Sequence, residues 1–172
     1  MLPRLLLVLL VAAGLLAPAA AAADPVPPPP SLWTPPLTGP PSVSRPFEAP
    51  PHPYGAGHRG VDLHGSPGMP VLAAGDGVVA FAGTVAGRPL LSIDHGNGLR
   101  TTYEPVQPSV GAGQRVTRGS PVGTLVPGHA GCPVGACLHW GLRRGETYLD
   151  PMTLLRPRQI RLLPGVRRPS AS

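Results

Sequence analysis

The sequence predicts an all-β domain, arranged as a small antiparallel sandwich or barrel. Runs rich in β-branched and apolar residues recur at roughly ten-residue spacing, separated by glycine-rich turns. Examples are 78–85, 90–94 and 99–103. No stretch shows a sustained helical period of apolar residues, so we expect only a proline-initiated helical turn near the end of the domain.

The first 23 residues have the pattern of a secretory signal peptide. Arg4 precedes the apolar run 5–16, and the alanines at 21–23 offer small-residue cleavage sites. The run is too short for a spanning helix, and no later stretch is apolar enough to span a bilayer. We therefore expect a secreted protein associated with the cell wall, with no stable membrane span after signal cleavage. An uncleaved N-terminal anchor is the alternative.

The remaining chain divides by composition into three parts. Residues 24–43 are dense in proline and predict an extended linker that packs no core. Residues 44–155 predict the β-domain, which is large enough for a small core. Residues 156–172 carry arginines among prolines and predict a basic disordered tail. We expect a monomer.

Charge limits the partners of the chain. The formal net charge is +6, and all 14 basic residues are arginines. A basic exported chain is attracted to anionic wall polymers, although a solvated tail explains the charge equally well. Aromatic residues make up only 4% of the chain, so nothing indicates nucleic-acid binding. A lipoyl- or biotinyl-carrier domain is excluded, because such carriers need an acceptor lysine.

Two short stretches predict the halves of a zinc site. In the first, strand periodicity places His58, Gly60 and Asp62 on one face, and the glycine leaves a gap between the imidazole and the carboxylate where a metal ion could sit. In the second, Cys137 and His139 share a face, so His139 can supply a third ligand. Two histidines and a carboxylate with an open fourth position are typical of catalytic rather than structural zinc.

In their order, these motifs resemble the lysostaphin-type (LytM-like) zinc endopeptidases of bacterial cell walls. The matching pieces are Gly57–Leu63, Gly75–Val78, Ile93–Gly96, Gly119–Gly123, Leu138–Trp140 and Leu149–Pro151. The resemblance implies a duplicated motif with lipoyl-like hairpins, zinc held by His58, Asp62 and His139, and hydrolysis of peptides in peptidoglycan.

The chain departs from the family at two positions that usually carry catalytic histidines. Cys137 aligns with the first histidine of the H-x-H motif, and Pro105 aligns with a second catalytic histidine. The catalytic residues are therefore unassigned. We expect Glu104 to face away from the site and His129 to be a surface histidine of the loop before Cys132. A structural role is likewise expected for His52 in a proline-rich loop, His64 next to a turn, and His95 as a turn residue.

Cys137 has three interpretations. In an exported chain it forms a disulfide with Cys132. Alternatively, it supplies a fourth thiolate ligand that closes the zinc site. As a free nucleophile it has no evident base.

The motifs together predict a secreted zinc metalloendopeptidase-like protein that remodels the cell wall by acting on peptidoglycan peptides. The alternative is a catalytically inactive domain that binds the wall or regulates an amidase.

Overall fold

Two antiparallel sheets form the domain in the computed structural model, which describes residues 32–52, 54–129, 131–132 and 135–156. Eleven strands lie in this part of the chain. They are β1 (Val43–Arg45), β2 (Gly60–Gly65), β3 (Pro70–Leu72), β4 (Gly77–Val85), β5 (Arg88–Asp94), β6 (Leu99–Glu104), β7 (Val106–Pro108), β8 (Arg115–Val116), β9 (Pro121–Leu125), β10 (Ala136–Arg144) and β11 (Thr147–Leu149). The predicted all-β class is confirmed.

The larger sheet has the strand order β1-β2-β10-β6-β5-β4-β8, and β11 pairs with the far end of β10. The smaller sheet has the order β3-β9-β7. Within the larger sheet, β10 lies between β2 and β6 and is antiparallel to both. The two predicted ligand stretches are therefore neighbours in one sheet, although they are far apart in the sequence.

The core lies between the two sheets and consists mainly of aliphatic side chains with two large aromatic ones. Trp140 on β10 and Tyr103 on β6 are completely buried and are direct cross-strand partners. Residues that alternate with them along the strands face the other side of the sheet. His139 and Glu104 are therefore on that opposite face, where the candidate site lies.

Part of the proline-rich segment packs on the domain, contrary to the predicted linker 24–43. Leu37 is only 7% exposed, and Trp33 packs against the core. The backbone of this segment also hydrogen-bonds to the domain, from Thr34 N–H to Ala74 O and from Leu72 N–H to Pro36 O. Because proline carbonyls remain good acceptors and two large apolar side chains are available, this segment adds to the core despite its composition.

His95 is more than the expected turn residue, because it contacts both Trp33 of the packed segment and Thr101 of the larger sheet. Its Nδ1 donates to the carbonyl of Asp76 at 2.7 Å, and its Nε2 lies 2.7 Å from Oγ1 of Thr101. The ring of Trp33 meets it edge-on, with ring centroids 4.8 Å apart. Burial lowers the pKa of His95, against the hydrogen bond to Asp76, so the neutral ring is the favoured form.

The described chain ends in the predicted helical turn, a 3₁₀ helix at Pro151–Leu155 capped by the side chain of Asp150. Within the described ranges there is no helix long and apolar enough to cross a membrane. The predicted signal peptide 1–23 and nearly all of the tail 156–172 lie outside the described residues.

Candidate metal centre

Sheet register brings the three predicted zinc ligands together. Asp62 on β2 and His139 on β10 are direct cross-strand partners. His58 precedes β2 and is held by an isolated bridge with Glu48, with hydrogen bonds in both directions. Asp62 and His139 are therefore fixed by the β2–β10 ladder, and His58 by a separate backbone bridge to Glu48.

The ligand atoms form a compact triangle. His58 Nε2 lies 2.9 Å from Asp62 Oδ1 and 3.0 Å from His139 Nδ1, and His139 Nδ1 lies 2.9 Å from Asp62 Oδ1. These three residues are the group of described side chains whose ligand atoms all lie within 4.8 Å of one another. Three donors of these types can hold a metal ion.

The donor set fits zinc on two further observations. Tetrahedral bonds of about 2.0 to 2.2 Å place ligand atoms roughly 3.3 Å apart, close to the observed separations. In addition, His58 Nδ1 lies 2.7 Å from the carbonyl oxygen of Pro46, so this nitrogen carries the proton. The Nε2 lone pair is then free for a metal, which is the usual outer-shell arrangement of a zinc histidine.

Gly60 makes room for His139 rather than for the metal itself. A Cβ at Gly60 would lie 2.8 Å from both Cε1 and Nε2 of His139, and 2.5 Å from the carbonyl oxygen of Trp140. The gap predicted between His58 and Asp62 is thus filled by an imidazole from the neighbouring strand. Any side chain at this position would push that ring away from the other ligands.

The environment of Asp62 keeps its carboxylate ionised. Burial by itself would raise the pKa, but hydrogen bonds from His139 and His129, with the charges of His129 and His58, outweigh it and lower the pKa to about 2. A carboxylate that is ionised at neutral pH is the form that binds a cation.

Cys137 is bonded to Cys132 and is completely buried on β10. Of the three interpretations of Cys137, the structure contains the disulfide. The cystine closes the loop that leads into β10, and it leaves neither sulfur available as a thiolate ligand or a nucleophile.

Glu104 lies on the face of the site, contrary to the expectation that it turns away. It is the direct cross-strand partner of His139, and residues paired in an antiparallel ladder point to the same face. Its carboxylate is 2.8 Å from Arg88 Nε. Periodicity counted from Pro105 gave the wrong face, because Tyr103 and Trp140 set the inward positions of β6 and β10.

His129 also lies in the site, contrary to the expectation of a surface histidine. Its Nε2 is 3.1 Å from Asp62 Oδ1, and its side chain is only 17% exposed. The ring stacks on His139 with centroids 5.7 Å apart and an interplanar angle of 28°. The sequence contained one signal for this placement, the nearby cysteine pair that folds the loop back onto the ligand strand.

An open cleft of about 320 Å³ adjoins the triangle. Imidazoles and arginines dominate its lining, with one carboxylate. The lining residues are Arg45, Gly57, His58, Arg59, Arg88, Glu104, His129 and His139. Two of the three ligands, His58 and His139, thus border an open cleft whose lining carries an excess of positive groups.

Comparison with known protein families gives a match to Peptidase family M23 over residues 56–151. The chain belongs to this family. The matched range contains all three residues of the triangle, the cystine and His129. Membership of M23 supports a peptidase-like function directed at peptidoglycan.

Three similar proteins set the M23 domain of this chain in context. An uncharacterized protein of Mycobacterium tuberculosis is 50% identical over 133 residues, which are 75% of this chain and 53% of that protein. A DD-carboxypeptidase/endopeptidase of Neisseria gonorrhoeae is 31% identical over 101 residues, 58% of this chain and 23% of the relative. The chain thus spans about half the length, or less, of these relatives.

The third is a solved structure, a zinc containing peptidase from Vibrio cholerae. It is 29% identical, with a TM-score of 0.54 over 64% of this chain and 36% of that one. The fold of the described residues is therefore that of M23 peptidases.

Proposed function

We propose that this chain is a secreted zinc metalloendopeptidase that hydrolyses peptide bonds in peptidoglycan. The observation that carries the proposal is the triangle of His58, Asp62 and His139, with its ligand atoms 2.9 to 3.0 Å apart beside an open cleft. Family membership and the names of the Neisseria and Vibrio relatives support it.

His58, Asp62 and His139 would hold the zinc ion, and a bound zinc ion supplies Lewis-acid chemistry for hydrolysis. Three protein ligands leave a fourth position, as in catalytic rather than structural zinc sites. The ladder between β2 and β10 holds Asp62 and His139 in place before any ligand binds. Such a preorganised site loses little free energy to rearrangement during the reaction.

The charge of the cleft indicates the kind of peptide that binds. Three arginines, Arg45, Arg59 and Arg88, line it against one glutamate, which already pairs with Arg88. Arg59 is fixed by a hydrogen bond to the carbonyl of Gly55 and lies over the ring of Tyr148. A peptide with free carboxylates, such as a peptidoglycan stem, matches this surface.

The test measures zinc content and the release of new amine termini from purified peptidoglycan, for the wild-type protein and for His139→Ala. We expect about one zinc ion per wild-type chain, zinc-dependent amine release, and loss of both in the variant. His52→Ala is the matched control, because His52 is exposed and does not line the cleft. Peptidoglycans with different cross-bridges identify the bond that is cut.

The alternative function is a zinc-loaded domain that binds the wall or regulates an amidase without turnover. The presence of Cys137 and Pro105 where related enzymes carry catalytic histidines favours it. Stoichiometric zinc without amine release from any of the peptidoglycans would establish this alternative and overturn the proposed peptidase.

A further inference from the structure

The loop between β9 and β10 carries an imidazole into the site. His129 Nε2 approaches Asp62 Oδ1 at 3.1 Å, nearly the separation at which His58 and His139 approach the same oxygen. The ring stacks on His139 and lines the cleft. A solvated surface histidine would show none of these contacts.

The cystine explains how a loop residue reaches this position. Cys132 is three residues after His129 and is bonded to Cys137, which is two residues before His139 on β10. The backbone N–H of Cys132 also donates to the carbonyl of His129 at 3.4 Å. The loop is therefore anchored covalently to the ligand strand, close to the site.

The geometry distinguishes His129 from the ligands themselves. It contacts Asp62, but it is not part of the group whose ligand atoms all lie within 4.8 Å of one another. An imidazole beside the triangle and on the wall of the cleft is placed to contact a bound peptide rather than the metal.

We propose that His129 is a catalytic residue that faces the substrate and donates a hydrogen bond to the scissile carbonyl oxygen from Nδ1–H, the ring nitrogen that does not contact Asp62. It thereby supplies the imidazole that Cys137 does not, and the cystine formed by Cys137 holds it in place. The proposal rests on the proposed peptidase function. Preorganised donors of this kind typically change kcat by about 10²- to 10³-fold.

The test compares wild type, His129→Ala and His129→Gln, with His52→Ala as the control. Zinc affinity is measured by competition with a chromogenic chelator. Binding of a phosphinic analogue of an alanyl-alanine peptide, whose oxygens mimic a charged carbonyl, is measured by calorimetry on the zinc-loaded proteins. Melting temperatures verify that each variant is folded.

We expect His129→Ala to change zinc affinity by less than about 3-fold and to weaken binding of the phosphinic analogue by about 10-fold or more. His129→Gln retains an N–H donor and should recover part of that loss. Cleavage by His129→Ala should fall about 10²-fold in kcat with little change in KM. His52→Ala should match wild type in all of these measurements.

Two results overturn the assignment of His129. Unchanged binding of the phosphinic analogue by His129→Ala shows that the imidazole does not face the substrate. A loss of zinc affinity of 10-fold or more shows that it is a metal ligand instead. Wild type that binds the analogue but releases no amine termini overturns the peptidase function, and the binding comparison then still decides whether His129 contacts a bound peptide.

Discussion

Asp62 and His139 are direct partners across the ladder of β2 and β10, and their ligand atoms lie 2.9 Å apart. The period of a strand is two residues, so a slip of one position would move one of the two side chains to the opposite face of the sheet. The site therefore depends on the same register that buries Val61, Leu138 and Trp140 on the core side. Packing of the core and assembly of the site therefore require the same register between β2 and β10.

Gly60→Ala tests the space that this register leaves for His139. The added Cβ would come within 2.8 Å of the imidazole and 2.5 Å of a backbone oxygen, so the ring has to move. We expect zinc affinity to fall by at least about 10-fold, measured by chelator competition. Gly111→Ala is the matched control, because a Cβ there meets nothing within 4 Å. A folded Gly60→Ala protein with wild-type zinc affinity would show that the His139 ring can accommodate a Cβ at position 60 without leaving the site.

Cys132→Ala tests whether the loop that carries His129 can be released without affecting the ligand triangle. The disulfide closes a loop of only a few residues, so its loss should lower the free energy of unfolding by about 2 kcal/mol, measured by urea denaturation. Zinc affinity should be retained, because the three ligands lie on or beside the sheet. Affinity for the phosphinic analogue should fall, since His129 is no longer held.

Reduction of the wild-type disulfide provides the matching measurement. The reduced protein should behave like Cys132→Ala in zinc affinity and in binding of the analogue. A variant that binds the analogue as tightly as wild type would contradict the anchoring role of the cystine.

His95→Gln tests the pH dependence of stability that burial of this imidazole causes. The pKa is lowered in the folded protein, so the unfolded chain binds more protons below pH 6.5, the ordinary value for histidine. The stability contributed by neutral His95 is therefore fully present above pH 6.5 and decreases as the pH falls toward the folded-state pKa.

Free energies of unfolding of wild type and His95→Gln at pH 7.5, 6.5 and 5.5 provide the measurement. The advantage of wild type over His95→Gln should shrink as the pH falls. His52→Gln, at an exposed histidine, is the control substitution. A wild-type advantage that is equal at pH 7.5 and 5.5 would argue against a buried neutral ring.

Trp33→Ala tests whether the proline-rich segment belongs to the domain. The indole packs directly over Gly75, where a Cβ would lie 2.6 Å from Cζ3, and meets His95 edge-on. We expect a loss of about 2 to 3 kcal/mol in the free energy of unfolding, measured by urea denaturation. Tyr54→Ala is the control, because Tyr54 is 95% exposed, and its effect should stay within about 0.5 kcal/mol. Equal effects of the two substitutions would show that residues 33–43 act as a spacer and do not stabilise the domain.

Local patterns in the sequence determined the fold class and the members of the triangle. Alternating apolar residues between glycine turns specify strands, because strand periodicity is a property of a few consecutive residues. His58, Gly60 and Asp62 are close in sequence, and so are Cys137 and His139, so short-range geometry was enough to select them. The cystine was one of three interpretations that the sequence left open for Cys137, and the structure selected it.

Contacts between distant segments decided the rest. Glu104 joins the face of the site through its pairing with His139, and Trp33 joins the core through Gly75 and His95. His129 reaches Asp62 because the disulfide between Cys132 and Cys137 ties its loop to the start of β10. No local period describes these three placements, because each depends on which surfaces the folded sheets bring together and on the free energy gained by covering them.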